Sequence, residues 1–105
     1  MSEEKKFIEI YDSIATSYSE LERIMGGIFE HLQNNPADEM SKNIFLGLGN
    51  AAKEILDSQM ALVSSTKGIS EDLKKFCIEQ IERNMDSLSK AISLTRTIGT
   101  TTIAR

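Results

Sequence analysis

The sequence predicts an all-α protein, an elongated up-down-up three-helix bundle that dimerisation could complete. Three observations lead there. Apolar residues recur at seven-residue intervals through nearly the whole chain of 105 residues. Two short segments rich in turn residues cut that pattern into three stretches of similar length. Only one Pro is present. A seven-residue repeat marks helices that bury one face against neighbours. Composition agrees: 40% of residues are hydrophobic, 27% are charged, and aromatics reach 6% without Trp, so one domain with an aliphatic core is expected.

Helix 1 is expected over 3–33. Phe7, Ile14, Leu21 and Ile28 form one heptad row, Ile10, Ser17, Ile24 and His31 a second, and Tyr11, Tyr18, Met25 and Leu32 a third. Adjacent rows make one broad stripe that must be buried, His31 included. Ile8 and Phe29 lie at its edge as surplus apolar surface for a partner. Asn34-Asn35-Pro36 ends the helix, because Asn tolerates the left-handed cap and Pro pushes its predecessor out of the helical region.

Helix 2 is expected over 37–66, with Asn35 as its cap, Pro36 in its first turn, and Asp38 and Glu39 at the positive helix end. Its stripe comprises Ile44, Phe45, Leu48, Ala51, Ala52, Ile55, Leu56, Leu62 and Val63, interrupted by Ser41, Ser58 and Gln59. Ser64-Ser65-Thr66-Lys67-Gly68 is a stop signal with Gly68 at the C-terminal cap.

Helix 3 is expected over 70–98, capped by Ser70 and followed by Glu71 and Asp72. Its seam is narrower: Leu73, Cys77, Ile81, Met85, Leu88, Ile92 and Thr95. Residues 99–105 have no helical period and are expected to be a flexible tail, or a strand that adds to a partner's sheet, which leaves 1–98 as one helical domain. Short loops between long helices force antiparallel neighbours.

Formal net charge is −4, which argues against nucleic acid as a partner. Residues 1–39 carry nine acids against three bases, and residues 40–105 seven acids against nine bases. Helix 1 beside helix 3 with complementary edges explains that split; an acidic partner on a basic C-terminal half is the other reading. No apolar run has the length of a membrane span, and Met1-Ser2-Glu3-Glu4-Lys5-Lys6 lacks a signal peptide's apolar core, so no membrane contact and a cytoplasmic location are expected. A lone Cys77 cannot form an internal disulfide and suits a reducing compartment.

Glycines inside helices are the unusual local feature. Each costs about 1 kcal/mol relative to Ala. Folding about Pro36 and Gly68 brings Gly26, Gly27, Gly47, Gly49 and Ala91 to one level. Three readings are open for this layer: close helix packing, a kink, or a groove for a side chain or small ligand.

Chemistry-bearing residues are sparse. His31 is the single histidine. As a phosphate carrier it would need an exposed imidazole with basic and small neighbours, but Leu32-Gln33-Asn34-Asn35 follows it. No Glu-x-x-His pair suggests a di-iron site. Cys77 falls on the apolar seam as a small hydrophobe. Asn84 borders that seam. No catalytic set, cofactor or metal site is expected.

Phe45-Leu46-Gly47 resembles, over three residues, the Trp-x-Gly turn of small secreted helical-hairpin proteins, with Phe in place of Trp. That resemblance implies a turn at these residues and export from the cell; the turn chemistry at Asn35-Pro36 and Gly68 implies that they lie inside helix 2. The length and three-helix layout are similar to spectrin-type repeats, an analogy of architecture.

The expected function is therefore a small non-enzymatic protein-interaction module: an adaptor, an assembly subunit or a chaperone-like partner of a larger complex. It would bind a protein partner or a second copy of itself through helix faces, with Ile8, Tyr11, Tyr18, Met25 and Phe29 as contacts. A histidine phosphotransfer protein acting through His31 and a small secreted helical-hairpin protein are the alternatives.

Overall fold

The computed structural model describes residues 3–98, which form three helices: α1 (Glu3–Asn34), α2 (Glu39–Ser65) and α3 (Glu71–Thr97). No strand occurs among the described residues, and the expected tail at 99–105 lies outside them. The helices alternate in direction along an axis of 59 Å, in a body 20 Å by 16 Å across. α2 is central and packs against both α1 and α3. Among the described residues no helix is long and apolar enough to cross a membrane.

Side-chain caps set the boundaries. α1 ends where the backbone N–H and the side-chain amide of Asn35 both donate to the His31 carbonyl, at 2.9 and 3.0 Å. α2 begins later than the Pro36 reading placed it. Asp38, not Asn35, is the N-cap: its Oδ1 accepts from the Ser41 backbone N–H at 3.1 Å, and its Oδ2 accepts from the Ser41 hydroxyl at 2.8 Å. A carboxylate can accept both bonds at the positive helix end, whereas the Asn35 amide is already committed to closing α1. α2 closes at Thr66, whose N–H and hydroxyl both reach the Leu62 carbonyl. Gly68 follows two residues later with φ at +85°, a conformation that L side chains rarely adopt. Ser70 caps α3 as expected, accepting from Leu73 N–H at 3.1 Å.

Each helix buries a narrower strip than its apolar stripe. α1 buries Phe7, Tyr11, Tyr18, Met25 and Leu32. α2 buries Phe45, Gly49, Ala52, Leu56, Gln59 and Val63. α3 buries Cys77, Ile81, Leu88 and Thr95. Two expectations change here. Gln59, which reads as a polar interruption, lies in the core. His31 is exposed, together with Ile10, Ser17 and Ile24 of its row. Only the rows turned toward α2 and α3 can be covered by a three-helix body, and this row points away from α3.

Long-range polar contacts pin the ends and the middle. Lys42 Nζ donates to the Ile98 carbonyl at 2.6 Å, tying the start of α2 to the end of α3. The Tyr11 hydroxyl donates to Gln80 Oε1 at 2.7 Å and lies 3.4 Å from the Cys77 carbonyl, tying α1 to α3. The ion pairs Glu20–Arg23, Glu39–Lys42 and Asp86–Lys90 each stay within one helix.

Candidate functional site

Small residues open a groove where α1 and α3 would otherwise meet. At the Tyr11 level a phenol ring spans the gap to α3. About four turns further along α1 the facing residues are Gly26 and Ala91, which have too little bulk to span it. An apolar trough of about 410 Å³ results. Tyr18, Met25 and Phe29 of α1 form one wall, and Leu88, Ala91 and Leu94 of α3 the other. Phe45 of α2 also lines it, with its ring centroid 5.9 Å from that of Phe29. Glu22 of α1, and Ser87 and Lys90 of α3, supply the polar residues of the lining, and Lys90 Nζ is 3.0 Å from Asp86.

Tyr18 stays uncharged in this trough. Burial first, and then the nearby Glu22 carboxylate, pushes the Tyr18 phenol above its ordinary value of 10.0. Tyr18 therefore offers a ring and a neutral hydroxyl. A volume near 400 Å³ lies within the roughly 300–1,000 Å³ of ligand clefts and suits one or two inserted apolar side chains.

The expected contact residues fall in three places. Tyr18, Met25 and Phe29 line the groove, with the first two buried in the isolated chain, so they act from its depth rather than as an exposed helix face. Tyr11 is a core residue bonded to Gln80. Ile8 is exposed near the start of α1. The glycine layer also divides. A Cβ added at Gly26, Gly27 or Gly47 would meet nothing within 4 Å, so close packing inside the chain does not account for them. A Cβ at Gly49 would lie 3.0 Å from Ile92 Cδ1 and 3.5 Å from Met25 Cε, so this glycine lets α2 pack beneath both neighbours.

Sequence reasoning named Leu88 and Ala91 of the α3 wall and missed Leu94 and Ser87. Leu94 lies off the α3 seam and is exposed, and Ser87 lies two turns before it on the same row. The available signal was an apolar residue outside the seam beside the small residue Ala91.

Other reactive groups serve the fold. His31 Nε2 donates to Asp38 Oδ2 at 2.8 Å, and Asn35 Nδ2 lies 3.4 Å from Nδ1, so the imidazole braces the α1–α2 turn. Cys77 is buried, and burial pushes its thiol up, which disfavours the nucleophilic thiolate. Among the described residues no group of three His, Cys, Asp or Glu could hold a metal ion.

The chain matches no protein-family model, and neither a curated protein nor a solved structure matches it significantly.

Proposed function

We propose that the protein is a small non-enzymatic interaction module that receives apolar side chains of a partner protein's amphipathic helix in the α1–α3 groove. One observation carries this reading: three helices bury a continuous core, yet leave an apolar trough open between Gly26 and Ala91. A helix laid along such a trough presents anchors three and four residues apart. Glu22 on one wall and Lys90 on the other offer opposite charges, which select the orientation of the incoming helix. Adaptor, assembly subunit and chaperone-like partner all fit this mechanism. Phosphate transfer is less well supported, because His31 Nε2 is engaged by a carboxylate that repels an incoming phosphoryl group.

Site-specific photocrosslinking in cells tests the proposal. A crosslinking side chain at Leu94 should give a discrete protein adduct, and Gly26→Leu, which fills the trough, should abolish it. The same probe at Glu82, exposed on α3 and about 120° around the helix from Leu94 at 3.6 residues per turn, should give none. Equal adducts at both positions, or a Leu94 adduct unaffected by Gly26→Leu, would overturn the reading.

A further inference from the structure

The α1–α2 hairpin carries a second apolar surface, on its side away from α3. The contacts of α1 and α2 with α3 fix which side that is. α1 turns Tyr11 and the groove residues toward α3, and α2 reaches it through Gly49 and Lys42. On the opposite flank stand Ile10 and Ile24 of α1 and Ile44 of α2, which remain 50%, 42% and 48% exposed. Between these tips the two helices meet along half-buried Leu21, Ile28 and Leu48. Ser17, Ala51 and Ser58 are small, exposed residues on the heptad rows of these tips.

We infer that this face packs against the same face of a second copy of the chain, in a two-fold dimer with the α1–α2 hairpins inside and α3 on the outside. Area supports a second copy. From Ile10 to Ile28 α1 runs about 27 Å at 1.5 Å per residue. The body is 20 Å across. The face is therefore on the order of 540 Å² per chain, and two faces reach roughly the 1,000 Å² that a specific interface needs.

Charge supports it as well. The chain carries a net charge of −4, so two copies repel wherever acids are juxtaposed. The heptad rows of this face carry no acidic or basic side chain from Phe7 to Ile28 or from Ser41 to Leu62. Glu20 and Glu54 stand only in the bordering rows of Gly27 and Gly47, so like charge lies at the rim of a contact between two copies and not at its centre, and a partner chosen by charge would find nothing at that centre to read. Tips of Ile alternating with small Ser and Ala give one surface both halves of a self-complementary fit. Gly27 and Gly47 border the face with open space where a Cβ would be, so a neighbouring copy's helices can approach there. The face is separate from the α1–α3 groove, and either reading can fail alone.

Sedimentation equilibrium of the full chain provides the test. The wild type should show twice the chain mass of 11.7 kDa. Ile24→Glu should raise the dimer dissociation constant at least about 100-fold, because a carboxylate would be buried without a partner. Ile10→Glu is the second variant, should Ile24→Glu lose its helical circular dichroism. Phe76→Glu, exposed on α3 and so off the α1–α2 flank, should leave the dimer intact. A wild type that remains monomeric up to its solubility limit would overturn the inference. So would a dimer that survives both Ile substitutions, or one broken by Gly26→Leu instead, which would place the contact in the groove.

Discussion

The Tyr11 hydroxyl donates to Gln80 Oε1 at 2.7 Å, across the gap between the first and third helices. α1 and α3 are not neighbours in the chain, so this bond sets their spacing at one end of the groove. Tyr11→Phe should lower stability by about 1 kcal/mol near neutral pH, the usual net worth of such a bond. In alkali the order changes. Burial first, and then Cys77, holds the folded-state phenol above its ordinary value of 10.0. A raised value means that the contribution is complete below pH 10 and is lost as pH rises beyond it, because the unfolded chain ionises first. The stability of Tyr11→Phe should therefore fall less steeply above pH 10 than that of the wild type. Denaturant titrations on both sides of that pH check it, and parallel curves would contradict it.

The glycines should respond to substitution in opposite ways. A Cβ at Gly26 meets nothing within 4 Å, so Gly26→Ala should stabilise the chain by about 1 kcal/mol through helix propensity alone. A Cβ at Gly49 comes 3.0 and 3.1 Å from Ile92 side-chain carbons. Gly49→Ala should gain less than Gly26→Ala, and Gly49→Leu should lose about 1–3 kcal/mol to overpacking. Thermal melting of the three variants ranks them. A Gly49→Leu protein as stable as the wild type would show that α2 and α3 pack more loosely there.

Thr95 is wholly buried, and its hydroxyl has no hydrogen-bond partner. Thr95→Val keeps the shape and removes a desolvated donor, so it should raise stability by about 1–2 kcal/mol. Chemical denaturation measures the gain. A loss instead would indicate that the hydroxyl is satisfied in solution.

Periodicity and turn chemistry made the fold legible, and the residues show where legibility stopped. Three helices, their order and the Ser70 cap follow from local signals, since a heptad row and a capping hydroxyl act within one or two turns. The start of α2 does not follow, because Pro36 and Asn35 compete with Asp38, and the outcome depends on Asn35 being drawn back to His31. Burial is legible only as a stripe. Which rows turn inward depends on where α3 docks, a tertiary choice that left Ile10, Ile24 and His31 exposed and took Gln59 into the core. Levelling the chain about its turns brings Gly26 and Ala91 together, but the space between them depends on the spacing of α1 and α3, which periodicity does not encode.

The turn between α1 and α2 should respond to acid through Asp38. Its carboxyl is drawn from an ordinary 3.8 down to about 2, first by the bond from His31 and then by the bonds from Ser41. A depressed value means that the bracing is complete above pH 3.8 and is lost as pH falls toward 2, where the folded chain must take up the proton. His31→Ala should move the Asp38 titration upward but leave it below the ordinary value, because the Ser41 N–H still caps onto it. Ser41→Ala keeps that N–H and removes only the hydroxyl, so its shift should be the smaller of the two. Carboxyl-carbon NMR titrations of the three proteins read the order directly. If Asp38 titrates near 3.8 in the wild type, the imidazole does not brace this turn.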